Sequence, residues 1–323
     1  MNTRHTGPLA VLTSLFFMWG LITSLNDILI PHLKALFSLN YVQAMLVQFC
    51  FFVAYFIVSL PAGRLLQRIG YQRGLIVGLC TVGIGCLLFY PAAELHAYPL
   101  FLGALFVLAS GITLLQVAAN PYVTLLGAPQ TASSRLNLTQ AFNSLGATLG
   151  PLVGAATILA SADHVAAQGQ AETVQGPYLL LATALFFLAG IVACFRLPDA
   201  RVIERSGHRR DTHVHAGRNG LWAHRHLVLG AVGIFAYVGA EVGIGSLLVS
   251  LMSEPEIAGL SHETAGQYLA LYWGAAMVGR LAGSALMQRV RASRVLMTAG
   301  LANVILIGSA MALGGPAAMW LLL

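Results

Sequence analysis

The sequence predicts an all-α polytopic membrane protein, and three observations carry that prediction. Apolar residues supply 58% of the 323-residue chain and charged residues only 9%, at a mean hydropathy of +0.78, so a water-soluble globule of this composition would be coated in hydrocarbon. Stretches of about 20 nearly uncharged residues follow one another, each long enough as a helix to cross roughly 30 Å of bilayer core. Sixteen of the seventeen Lys and Arg residues fall on one side of the resulting pattern.

Length and punctuation place the helices at 9–33, 41–60, 74–91, 99–122, 136–161, 177–195, 227–251, 264–287 and 295–313, with a stub from 317. The first stretch is too long for a signal-peptide core and lacks a small-residue cleavage site, so it reads as a retained first helix. Arg4 precedes helix 1, while Arg64, Arg68 and Arg73 are expected in the loop between helices 2 and 3, and Arg135 between helices 4 and 5. Arg196, Arg201, Arg205, Arg209, Arg210, Arg218 and Arg225 fill the connection from helix 6 to helix 7. Arg280, Arg289, Arg291 and Arg294 surround the turn between helices 8 and 9, and only Lys34 is on the other face. The positive-inside rule then puts the N-terminus and the middle connection in the cytoplasm. A net charge of +6 reports this topology and gives little support to a nucleic-acid partner.

The polar stretch at 197–226 divides the chain into an N-terminal six-helix bundle, 1–196, and an incomplete C-terminal bundle, 227–323. Its His208, His213, His215, His224 and His226 are irregularly spaced, with no carboxylate or cysteine set to complete a metal site, and read as a solvated linker. Cys50, Cys80, Cys86 and Cys194 lie in apolar segments without metal-ligand spacing, as ordinary packing material. A weak internal repeat supports two halves: Gln67-Arg68 followed by Arg73 recurs as Gln288-Arg289 followed by Arg294. After Gly314-Gly315-Pro316 the chain enters an apolar run through Leu323, read as the start of a tenth span and hence as a fragment of a longer protein. Two equal six-helix halves would need roughly 75 to 100 further residues.

Two carboxylates sit well inside the apolar spans. Asp27, with Asn26 beside it and Thr23 one turn earlier, either reaches water at the helix end or carries a proton. Glu241, among the small residues of Tyr237-Val238-Gly239-Ala240-Glu241, either joins helices by a hydrogen bond or touches a ligand. Helices 4 and 5 carry a denser signal: Gln116 and Asn120 are spaced i, i+4, and Asn137, Gln140 and Asn143 follow at i, i+3, i+6, so each set lines one helix face. Carboxamides pair a donor with an acceptor and match neighbouring sugar hydroxyls without carrying charge. The alternative is polar glue between helices, where such bonds contribute only about 0.6 kcal/mol on average. Trp19, Tyr237, Tyr268, Tyr272 and Trp273 supply aromatic faces that pack on a pyranose or, more ordinarily, on one another.

Three segments in particular resemble a known family. They are Phe16-Phe17-Met18-Trp19-Gly20 with Leu25-Asn26-Asp27-Ile28-Leu29-Ile30-Pro31-His32-Leu33; Gln116-Val117-Ala118-Ala119-Asn120-Pro121-Tyr122-Val123; and Arg135-Leu136-Asn137-Leu138-Thr139-Gln140-Ala141-Phe142-Asn143-Ser144. With Tyr237 to Glu241 and Tyr272-Trp273-Gly274-Ala275-Ala276-Met277-Val278-Gly279-Arg280, they are similar in type and order to the fucose–galactose–glucose:proton symporter family of the major facilitator superfamily. The resemblance implies twelve helices in two bundles, alternating access and a central sugar site. It implies a proton-coupling role for Asp27 and places Gln140 and Asn143 in the binding region; with the polar and aromatic residues above, the candidate substrate-binding set is Asn26, Gln116, Asn120, Gln140, Asn143, Glu241, Tyr272 and Trp273. It further implies a cytoplasmic gate at Arg64, Arg68, Arg73 and Arg135.

Two departures matter. A second key carboxylate of the fucose permeases falls at Gln116, which cannot titrate, and Gln116 with Glu241 looks like the glucose/galactose branch of the family. Gln67 stands where an acid is usual in the gate between helices 2 and 3. The expectation is therefore a symporter, not an enzyme, that imports D-glucose or D-galactose across a bacterial inner membrane. No cofactor and no obligate protein partner is expected, and the coupling ion is H⁺, with Na⁺ as the alternative. L-fucose symport, a membrane sugar sensor and an inactive transporter fragment are the competing readings.

Overall fold

The computed structural model of the chain describes residues 6–154, 175–194 and 224–323, and among them every regular element is helical. The order is α1 (Thr6–Leu36), α2 (Tyr41–Ile69), α3 (Tyr71–Glu94), α4 (Tyr98–Leu125), a 3-10 turn (Pro129–Thr131), α5 (Ala132–Gly154), α6 (Gln175–Cys194), α7 (Arg225–Ser253), α8 (His262–Leu286), α9 (Ala292–Leu313) and the short α10 (Gly315–Leu322). Eight of these helices are long and apolar enough to cross a membrane. The other long one, α5, has 23 described residues but is too polar by the same measure, because Arg135, Asn137, Gln140 and Asn143 interrupt it. Helices are the expected outcome, since hydrocarbon offers no partner for an unpaired backbone N–H or C=O.

Several helices run past the ends expected from proline. Pro61, Pro91 and Pro121 all lie inside their helices, and α2 continues to Ile69 rather than stopping at 60. A proline inside a helix forfeits one hydrogen bond and adds a local clash, whereas ending the helix leaves four carbonyls unpaired; beside a membrane the interruption is the smaller cost. Consequently Arg64 and Arg68 ride on the last turns of α2 and Arg73 on the first turn of α3, instead of in a loop. The connection is Gly70 alone, at φ +82°, with its N–H bonded to Leu66 O at 2.8 Å. An L side chain rarely adopts that backbone conformation, which explains the glycine.

Two compact units emerge. The first comprises Met1–Glu204 together with Arg280–Arg289, the second Arg205–Gly279 with Val290–Leu323. The linker arginines at 196–218, Arg4 and three of the linker histidines lie outside the described residues, as do the side chains of Asn26, Asp27 and Lys34.

In the first unit α3 packs against α4 and α6, α2 against α4, and α1 against α5. Fully buried Phe89 stacks on Tyr178 at 4.1 Å between ring centroids and meets Phe101 edge-on at 5.8 Å, which joins α3, α4 and α6. The α1–α5 crossing is tighter: a Cβ on Gly20 would strike the backbone carbonyl of Asn143, and one on Gly146 would strike that of Phe17. Two glycines on facing helices thus let the backbones touch, which matters in lipid, where close packing replaces hydrophobic exclusion as the force between helices. Outward, α2 presents Val42, Phe49, Phe56 and Leu60, with Phe56 83% exposed; such a stripe suits acyl chains and not water.

The second unit has a small core in which Leu248, Met252, Ala265 and Met319 are buried, with Tyr268 set edge-on to Trp320 at 5.7 Å. Along α7, Leu229, Ile234 and Phe235 are exposed.

Replacing Gly146 by Ala should force α1 and α5 apart and lower stability by about 1–3 kcal/mol. Gly103→Ala, whose new methyl group meets nothing within 4 Å, should leave stability unchanged or raise it. Thermal unfolding in detergent compares the two; equal midpoints would refute the close crossing.

Candidate functional site

Between Gly111 and Asn120, α4 keeps only Gln116, Val117 and Asn120 half-buried while every other residue is buried. One face of this helix therefore stays open, and it is the amide face. From α5 the half-buried Gln140 reaches it, its Nε2 lying 3.5 Å from Asn120 Oδ1. That distance is beyond the usual range for an N–H···O bond, so the two amides are neighbours that hold much of their hydrogen-bonding capacity in reserve.

One turn along α4, Gln116 Nε2 donates to the Tyr55 hydroxyl at 3.2 Å. The indole N–H of Trp19 faces the same oxygen. Residues from α1, α2, α4 and α5 thus form a polar cluster inside the first unit. Tyr55 is the member the sequence reading missed: it lies in the aromatic run Phe49 to Phe56 of α2, where neighbouring residues face lipid, and no spacing rule separates it from them. Its ring is held by Phe51 at 5.3 Å.

Asn143 behaves differently from the other amides. It sits at the α1–α5 crossing, and its Nδ2 donates to the backbone carbonyl of Phe16 at 3.0 Å. One of its two amide N–H donors is therefore committed to holding two helices together. Asn137 is likewise engaged, donating to Arg280 O at 2.6 Å within the first unit. Close by, Arg280 bonds the Ser144 hydroxyl, and Ser134 Oγ donates to Ser284 O at 2.7 Å.

Arg135 closes the end of α4. Its guanidinium donates to Val123 O at 3.3 Å, Thr124 O at 2.8 Å, Ala128 O at 2.9 Å and the Thr131 hydroxyl at 2.5 Å. A cation on the unpaired carbonyls of a helix C-terminus satisfies them and opposes the helix dipole, so Arg135 shapes the α4–α5 turn.

In the second unit Glu241, Tyr272 and Trp273 come together. The Tyr272 hydroxyl donates to the backbone carbonyl of Glu241 at 3.4 Å, and Tyr272 meets Trp273 edge-on at 5.1 Å. Gly245, one turn after Glu241, leaves room for the Trp273 ring, which a Cβ there would approach to 3.1 Å.

Apolar spans on both units, an open amide face and aromatic neighbours define a multi-pass membrane protein with polar groups held inside its helices. Residues 11–323 match the Major Facilitator Superfamily. A glucose/galactose transporter of Brucella abortus is 55% identical over 97% of this chain and 74% of its own length. The L-fucose-proton symporter of Escherichia coli is 34% identical over 90% of this chain and 69% of its own length. Among solved structures, the outward conformation of FucP, the E. coli fucose:proton symporter, gives a TM-score of 0.83 at 31% identity, covering 98% of this chain and 80% of that one. The chain belongs to the Major Facilitator Superfamily and, within it, to the fucose–galactose–glucose:proton symporter family, a family of transporters and not of enzymes.

The different commitments of two amides can be separated experimentally. Asn143→Ala should lower thermal stability by about 1 kcal/mol through loss of the Phe16 bond. Gln140→Ala, whose side-chain neighbour Asn120 lies at the limit of bonding range, should stay within about 0.5 kcal/mol of the parent. The reverse order in detergent melts would refute the assignment.

Proposed function

We propose that this protein imports a hexose, D-glucose or D-galactose, in symport with a proton. The observation that carries the reading is the half-buried, uncharged amide face of Gln116, Asn120 and Gln140, flanked by Trp19 and Tyr55. Neutral donors and acceptors suit a neutral polyol: they replace the water that a sugar gives up on entering the membrane, without the penalty of burying an unpaired charge. A charged substrate would call for a fixed counter-ion among these residues, and they supply none. The 55% identity to a glucose/galactose transporter, against 34% to a fucose symporter, supports D-glucose or D-galactose over L-fucose.

On this reading the two halves, 1–196 and 227–323, alternate access to the sugar. The linker at 197–226 and the N-terminus lie in the cytoplasm of a bacterium, and the inner membrane is the setting. Glu241, Tyr272 and Trp273 are the contribution of the second half to substrate binding, and Asn26 belongs with Asp27 on α1. Arg64, Arg68 and Arg73 serve the cytoplasmic gate. Since Gln116 cannot exchange a proton, Asp27 carries the coupling: a carboxylate in an apolar span is costly when charged, so its protonation state and the occupancy of the site become linked. The monosaccharide and the lipid bilayer are the partners the reading requires.

Counterflow of labelled sugar in proteoliposomes should occur with D-glucose and D-galactose and respond less to L-fucose. Binding without counterflow would instead make the protein a sensor. Asp27→Asn keeps the shape but exchanges no proton, so it should abolish accumulation driven by a pH gradient while sparing sugar binding. Undiminished uphill uptake by that variant would contradict the coupling role.

A further inference from the structure

The Tyr55 hydroxyl is the most constrained polar group of the amide face. Its oxygen accepts an N–H from Gln116 on α4 at 3.2 Å and faces the indole N–H of Trp19 on α1. An indole N–H can only donate, so the phenol oxygen must accept there. With two donors already directed at the oxygen, what remains is the phenol proton. Among the described residues none accepts it, and a half-buried O–H without an acceptor costs free energy.

The surroundings suit one kind of solute oxygen. Asn120 and Gln140 lie on the same open face with capacity in reserve, and the aromatic packing of Phe51 limits movement of the Tyr55 ring. A phenol oriented by two fixed donors presents its proton in one direction. It therefore distinguishes sugars by whether they place an oxygen there, whereas a mobile hydroxyl would not.

We propose that Tyr55 is a direct hexose contact, donating its hydroxyl proton to one sugar oxygen, with Trp19 and Gln116 as the positioning residues that aim it. This rests on the hexose-transport reading. It adds a specificity-determining group on α2 to the candidates on α1, α4 and α5.

The test is calorimetric binding by the purified full chain of D-glucose, D-galactose and their 2-, 3-, 4- and 6-deoxy analogues, with Tyr55→Phe beside the parent. The variant keeps the ring and removes only the hydroxyl. Its affinity for the intact hexose should fall on the order of tenfold. One deoxy sugar should bind the parent equally weakly yet lose nothing further in the variant, because the sugar oxygen and the phenol proton are then absent together. Unchanged affinity in Tyr55→Phe, or a loss of the same size for every deoxy sugar, would overturn the proposal, the latter by showing a structural role. Should Tyr55→Phe fail to fold, Trp19→Phe removes one aiming donor and keeps the hydroxyl. That variant should weaken discrimination at a single sugar position, and discrimination equal to the parent's at every position overturns the proposal. If the parent binds no hexose, the transport reading itself falls and takes this proposal with it. If the parent binds and only the Tyr55 result fails, the transport reading stands.

Discussion

The α1–α5 crossing fixes where the polar groups of α1 and α5 stand relative to those of α2 and α4. In lipid, two apolar helices gain nothing by hiding from water, so their association depends on backbone contact and on the few hydrogen bonds between them. Gly20 and Gly146 provide the first and Asn143 to Phe16 O the second. Trp19 is the residue next to Gly20, and Gln140 lies one turn before Asn143. The same contact that brings the helices together therefore sets where the indole N–H and the Gln140 amide point. A looser crossing would leave both groups with no fixed relation to Gln116 and Tyr55.

Polarity in this unit is graded rather than uniform. Asn137, Asn143, Ser134 and Arg135 give their hydrogen bonds to backbone carbonyls and so act on the architecture. Gln116 bonds the Tyr55 hydroxyl, and Asn120 and Gln140 stand as neighbours at 3.5 Å, all on a half-buried face. Bonds between two side chains are the ones that a solute exchanges at least cost, because nothing in the helical ladder is broken when they part. In chemical type the set resembles a sugar's own hydration shell, with donors and acceptors in similar number and no net charge.

Much of the fold was legible in the sequence because length and apolarity leave a membrane-bound chain few alternatives. Helix ends were less so, since Pro61, Pro91 and Pro121 signal termination in water and are tolerated beside lipid. The i, i+4 pair Gln116 and Asn120 was visible because amides are conspicuous in an apolar helix. Tyr55 was not, because an aromatic residue among aromatics gives no sign of whether it faces lipid or the interior. Spacing alone also could not separate Asn143 from Gln140: both occupy one face of α5, and only the approach of Gly20 shows which of them meets a backbone. Nor did the charge pattern reveal that Arg135 caps α4, since it counts arginines and is blind to the carbonyls they meet.

The central claim is that the open face of α4 is where sugar binds. Val117 lies on that face between the two amides and can be replaced by cysteine without touching them, in a background where Cys50, Cys80, Cys86 and Cys194 are substituted. The rate at which a water-soluble maleimide labels Val117→Cys should fall when D-glucose saturates the protein and stay constant with L-glucose. A labelling rate indifferent to D-glucose, in protein that calorimetry shows to have bound it, would place the sugar elsewhere and contradict the account.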